Sequence, residues 1–163
     1  MPPGGEPTIN EDLPGFIQRA KGMGFDVKLD TNGSNPGQLE YLLREKLVDY
    51  LALDIKTSLP KYAQLTNVPD IAQRVTRSIY LTMLATIPYE FRTTCVPGVV
   101  DDKDFRLIGE TVKGAKKYCL QQFRPLNTYD KNFENITPYK KEDLRRFRNI
   151  LEGFVEVVEI RGI

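Results

Sequence analysis

The sequence predicts an α/β fold built on a parallel sheet with flanking helices. Three observations carry that reading. Short extended runs alternate with amphipathic helical stretches at roughly 25 to 40 residues per unit, the spacing of right-handed βαβ crossovers. The run Tyr50-Leu51-Ala52-Leu53 is almost continuously apolar, as in a strand covered on both faces. Polar residues collect at the C-terminal ends of the strands, where parallel sheets and barrels bind ligands.

Each element has its own signal. Residues 12–24 read as a helix with Leu13, Phe16, Ile17 and Ala20 on one face, stopped by Gly22 and Gly24. Residues 25–30 alternate apolar and polar and read as a strand, followed by the turn Thr31-Asn32-Gly33-Ser34. A helix over 36–46 starts at Pro36 and carries Leu39, Leu42, Leu43 and Leu47. Residues 50–56 form the next strand. Residues 57–70 read as an irregular loop with Pro60 and Pro69 as breakers, and 71–86 as a helix through Val75, Ile79 and Thr82. A strand over 89–96 is closed by Pro97-Gly98. A helix over 102–113 turns Phe105, Ile108 and Val112 inward. Strand 118–123, loop 127–138, helix 140–152 (Leu144, Phe147, Leu151) and strand 155–160 complete a single domain over 1–163.

Composition narrows the function. The 163 residues are enough for one real core, with 40% hydrophobic and 28% charged residues. A net charge of +1 favours neither a nucleic-acid partner nor a membrane surface. No apolar run approaches the roughly 20 residues that span a bilayer. Met1-Pro2-Pro3-Gly4 lacks the charge and apolar stretch of a secretory leader, so a cytoplasmic setting is expected. Histidine is absent, which excludes His-based zinc sites, Ser-His-Asp triads and imidazole bases. Cys95 and Cys119 lie in apolar, strand-like runs and read as buried thiols.

The candidate site residues fall in order. Gly4-Gly5-Glu6-Pro7-Thr8 lets backbone approach a ligand closely and adds a carboxylate acceptor, which suits a ligand with an amino group. Asp30 ends the first strand, where it is either part of a turn or a ligand contact. Asp54 and Lys56, two apart and so on one face, end the second as an ion pair or a site. Arg92 and Thr94 share a face of the third strand, and Arg92 is a charge that needs a partner there. Gln122 and Arg124 end the fourth, as a strand end or a contact. The basic run Lys140, Lys141, Arg145, Arg146 and Arg148 reads as a solvated helix face.

Taken together, these motifs resemble a known family. Gly4-Gly5-Glu6-Pro7-Thr8, then Val27-Lys28-Leu29-Asp30-Thr31-Asn32-Gly33-Ser34-Asn35-Pro36, then Val48 to Lys56 are similar to radical S-adenosylmethionine enzymes, and more closely to glycyl-radical activating enzymes. Ile87 to Thr94, Val96-Pro97-Gly98 and Gln121 to Pro125 resemble the activating proteins of anaerobic ribonucleotide reductase, in the branch related to pyruvate formate-lyase activating enzyme. The resemblance implies an incomplete, open parallel (β/α) barrel. It implies S-adenosylmethionine, an iron-sulfur (4Fe-4S) cluster held by Cys-x3-Cys-x2-Cys, and an oxidoreductase working anaerobically. Reductive cleavage of S-adenosylmethionine would then generate a glycyl radical on a partner enzyme.

It also implies cofactor-binding roles. Gly4, Gly5, Glu6 and Asp30 would line the methionine amino group, with Thr8 close by. Asp54 would hold the ribose hydroxyls, Lys56 would reach the carboxylate and ribose, and Thr94 would lie near the adenine. Arg92 is counted with them, and Arg124 stands where a relative carries His. No catalytic or metal-ligating residue is expected in this chain, because the cysteine motif is missing and Cys95 and Cys119 cannot replace three clustered thiolates. The chain is therefore expected to be the C-terminal part of such an enzyme, inactive alone, with the first strand and cluster loop upstream of Gly4. Its opened edge is expected to invite a homodimer. A small-molecule radical enzyme similar to 7-carboxy-7-deazaguanine synthase, or a non-catalytic nucleoside- or partner-binding protein, stays open as an alternative.

Overall fold

A computed structural model describes residues 5–66, 68–125 and 134–163. Gly4, from the first candidate motif, and most of the expected loop over 127–138 lie outside them. The five strands are β1 (Lys28–Thr31), β2 (Tyr50–Asp54), β3 (Tyr89–Cys95), β4 (Lys117–Gln122) and β5 (Val157–Arg161). They form one sheet in chain order, β1-β2-β3-β4-β5. The helices are α1 (Leu13–Gly22), α2 (Pro36–Arg44), α3 (Tyr62–Leu65), α4 (Ile71–Leu84), α5 (Asp102–Thr111) and α6 (Lys141–Leu151). The chain divides into two compact units, one of Met1–Ile55 with Tyr62–Phe91, the other of Lys56–Lys61 with Arg92–Ile163.

In the first unit β1 and β2 pair in parallel, with Lys28 opposite Tyr50 and Asp30 opposite Ala52. Leu51, Ala52 and Leu53 are completely buried, as the unbroken apolar run requires of a doubly covered strand. Each leucine contributes about 1.5–3 kcal/mol by that burial. α2 packs on α4, and Leu39 and Leu42 of α2 and Val75 and Ile79 of α4 are each 3% exposed or less. Both α1 and α2 end in a Schellman closure. Gly24, at φ 86°, donates to the Lys21 carbonyl while Phe25 donates to Ala20. Lys46, at φ 54°, donates to Leu43 while Leu47 donates to Leu42.

Three boundaries differ from expectation for local reasons. β1 starts at Lys28 rather than at residue 25, because the Phe25 amide completes the α1 cap and the Val27 carbonyl takes the Asp49 and Tyr50 amides. Only Ile17 of the expected α1 face is buried, while Phe16 is 54% exposed. The apolar stripe marks which face is apolar, not how much of it is covered. The segment after β2 is not all loop: a 3-10 turn at Leu59–Lys61 leads into α3. Pro60 sits in a helical first turn, where a missing N–H costs nothing.

In the second unit β4 and β5 pair in parallel, with Lys117 opposite Val157 and Gln121 opposite Arg161. α5 and α6 pack through Phe105 and Phe147, with ring centroids 4.6 Å apart. The α5 start is closed by a capping box between Asp101 and Asp104. The basic residues of α6 are exposed, and Arg146 is paired with Asp102 and Asp143, both at 2.9 Å. Cys95 and Cys119 form no disulfide and are fully buried.

Candidate functional site

In the first unit the candidate residues centre on Glu6. Gly5 is exposed and precedes a 3-10 turn, Pro7–Ile9, capped by the Glu6 side chain. Glu6 Oε1 accepts from the Thr8 amide (3.2 Å), the Thr8 hydroxyl (2.5 Å) and the Thr31 hydroxyl (2.6 Å). Oε2 accepts from the Asn32 amide at 2.7 Å. The Asn35 side chain extends the network, donating to the Thr8 carbonyl at 2.6 Å and capping α2 through the Gln38 amide. Thr8 and Thr31 are 1% and 3% exposed. So Glu6 and Thr8 are bound to the C-terminal end of β1 and the turn after it. The Thr8 hydroxyl is spent on Glu6 and faces no solvent.

A carboxylate offers about four acceptor directions. Among the described residues Oε1 is filled by its three donors, whereas Oε2 has one, leaving room for a further donor such as an ammonium. Asp30 stands exposed on β1, 3.2 Å from Lys28 on the same face. The parallel register puts Tyr50, Ala52 and Asp54 on that face too. Asp54 is half-buried at the end of β2. Sequence reading missed one member of this unit, Glu90. It is 1% exposed and accepts from the Tyr50 hydroxyl at 3.1 Å. The signal was present, since Glu90 stands two residues before Arg92 in the same apolar strand.

The second unit holds the other candidates. Lys56 is exposed and opens a pinned segment. The Thr57 hydroxyl donates to the Val99 carbonyl at 2.8 Å, and Ser58 donates to Asp104 Oδ1 at 2.6 Å. Lys61 donates to Asp104 Oδ2 at 2.5 Å, and this bond raises the Lys61 pKa despite its partial desolvation. Arg92 and Thr94 are both half-buried on one face of β3, and the Thr94 hydroxyl reaches Gln121 at 3.5 Å. Arg124 is exposed just beyond β4. On β5 the Glu159 carboxylate sits below its ordinary pKa because Lys117, 2.9 Å away, and then Arg161 donate to it.

The residues present do not suit an iron-sulfur cluster. Burial, reinforced by the neighbouring Cys119, pushes the Cys95 thiol up to about 12, far from the thiolate a cluster needs. Among the described residues no group of three or more His, Cys, Asp or Glu could hold a metal ion. No helix among them is long and apolar enough to cross a membrane.

No family model matches the chain. A Methanocaldococcus jannaschii protein named as a glycyl-radical enzyme activating enzyme is 38% identical over 98% of this chain and 69% of its own length. A Pyrococcus horikoshii protein named as a GTP 3′,8-cyclase is 30% identical over 94% of this chain. A Pyrococcus abyssi protein of the same name is 29% identical over 64% of it. The chain spans only 54% and 34% of those two relatives. With an α/β fold consistent with a partial barrel and a relative this similar along nearly its whole length, the chain belongs to the glycyl-radical enzyme activating enzymes of the radical S-adenosylmethionine family.

Proposed function

We propose that this chain supplies the S-adenosylmethionine-holding part of an enzyme that generates a glycyl radical on a partner enzyme. The observation that carries the reading is the Glu6 network. It ties Glu6, beside the exposed Gly5, to the end of β1 and, among the described residues, leaves one Oε2 acceptor direction open, the arrangement an ammonium group needs. In the first unit, Gly5, Glu6 and Asp30 are assigned to the methionine amino group and Asp54 to the ribose hydroxyls. Thr8 holds the loop and does not touch the ligand. In the second unit, Lys56 is assigned to the carboxylate, Thr94 to the adenine, and Arg92 and Arg124 to the surrounding polar contacts. Acids meeting an ammonium and a lysine meeting a carboxylate are charge-assisted pairs, the stronger kind of hydrogen bond. When bound, S-adenosylmethionine supplies the carbon–sulfur bond whose reductive cleavage powers the family's hydrogen abstraction. The cluster that delivers the electron has no ligands among these residues, so the chain alone is proposed to be inactive.

The partner is proposed to be a glycyl-radical enzyme, from the name of the Methanocaldococcus relative, and the motif resemblance narrows it to the ribonucleotide reductase or pyruvate formate-lyase kind. The two cyclase relatives favour a second reading, a nucleotide-sized small-molecule substrate. Self-association through the outer edge of β1 is also proposed, and a monomer in sedimentation at high concentration contradicts it. Calorimetry tests the binding claim. S-adenosylhomocysteine should bind the chain, and Asp54→Ala should weaken binding about tenfold or more. No heat at millimolar ligand contradicts the assignment.

A further inference from the structure

Lys56 begins a six-residue segment whose next side chains are unusual for a strand-to-helix connection. Thr57 and Ser58 are 0% and 1% exposed, yet both are polar. Buried hydroxyls are tolerated only when they are hydrogen-bonded, and each has one specific partner. Thr57 is fixed to the Val99 carbonyl, and Ser58 to Asp104. Asp104, itself 1% exposed and in the first turn of α5, receives three donors: the Ser58 hydroxyl, Lys61 and the Asp101 amide. Lys61 closes the turn by donating its amide to the Ser58 carbonyl at 2.9 Å. A flexible connection needs no buried carboxylate. This one has its residues at 57, 58 and 61 bound to the residues just before and inside α5.

We propose that Asp104, acting through Ser58 and Lys61, is a positioning residue for Lys56. The inference rests on the reading of Lys56 as the carboxylate contact. Fixing the two residues after Lys56 sets the direction in which its backbone presents the side chain. A lysine has four rotatable bonds, so a wandering anchor would dilute the population able to meet a ligand carboxylate. The Asp104 charge is neutralised by Lys61 and by the helix terminus, so the pin holds without placing a free carboxylate next to Lys56.

A double-mutant cycle on the full chain tests this, with S-adenosylhomocysteine as the probe and its dissociation constant as the readout. Ser58→Ala should weaken binding about fivefold to tenfold when Lys56 is present, and less than about twofold in a Lys56→Ala background. A merely structural loss would give the same factor in both backgrounds, and that result overturns the positioning role while leaving the Lys56 contact standing. If Lys56→Ala leaves the constant unchanged, the Lys56 contact itself fails and the proposal fails with it. Thr57→Val keeps the side-chain shape and removes only the bond to Val99; it should repeat the same pattern. Amide exchange provides a ligand-free check. Asp104→Asn should speed exchange of the Lys61 amide while the α6 amides keep their protection, and unchanged exchange at Lys61 overturns the pin.

Discussion

Glu6 Oε2 accepts the Asn32 amide at 2.7 Å, and this contact joins the glycine-rich loop to the turn that ends β1. The other oxygen accepts two hydroxyls and an amide, so a single half-buried carboxylate binds Thr8, Thr31 and Asn32. Glu6→Gln replaces one acceptor oxygen with an amide that must face donors. The first unit should lose about 1–3 kcal/mol, read from urea denaturation. Unchanged stability would show that the network is not formed in solution.

Asp49 makes a pH prediction. Its carboxylate accepts Lys21 Nζ at 2.6 Å and the Val27 amide at 2.8 Å, and these bonds, Lys21 first, hold its pKa below the ordinary 3.8. A depressed carboxylate gives stability that is whole above the unfolded value and fades as pH falls through the folded value. The denaturation midpoint should therefore drop on acidification below about pH 4. Asp49→Asn should start lower at neutral pH and show a flatter acid branch. An identical acid slope in both proteins contradicts the assignment.

Gly109 is constrained by packing. It is buried in α5, and a Cβ there would run into the Phe154 ring. An exposed helical Gly→Ala change gains about 1 kcal/mol. Here Gly109→Ala should instead cost about 1–3 kcal/mol, and most of that cost should vanish in a Phe154→Leu background. A stabilised Gly109→Ala protein would contradict this packing.

Both thiols are completely buried and Cys95 is pushed up to about 12. Neither should react with an aromatic disulfide reagent at neutral pH until the chain unfolds, when both should react. Rapid labelling of the folded protein would contradict the burial.

Much of this was legible in the sequence, for identifiable reasons. β2 and β3 were clear because apolar runs bounded by Asp54 and Pro97 leave little choice of element. The longer helices were clear because apolar residues recur at helical spacing, as with Leu39, Leu42 and Leu43 in α2 and Phe105 and Ile108 in α5. The start of β1 was not, because the Phe25 amide is taken by the α1 closure, and that is a hydrogen bond rather than a pattern. α3 was hidden because Pro60 reads as a breaker unless its position within the turn is known. Of the site, Glu6 and Lys56 stood out as residues. Their supports did not: Thr31, Asn32 and Asn35 are far from Glu6 in sequence, and Asp104 is more than forty residues from Ser58. Such partners emerge only from the fold.

The most direct measurement is amide-resolved NMR of the full chain titrated with S-adenosylhomocysteine. Shifts should centre on Gly5, Asp30, Asp54, Lys56 and Thr94. Shifts that leave these residues untouched and gather elsewhere, such as around Leu43, Leu84 and Ile87 at the C-terminal ends of α2 and α4, would contradict the proposed site.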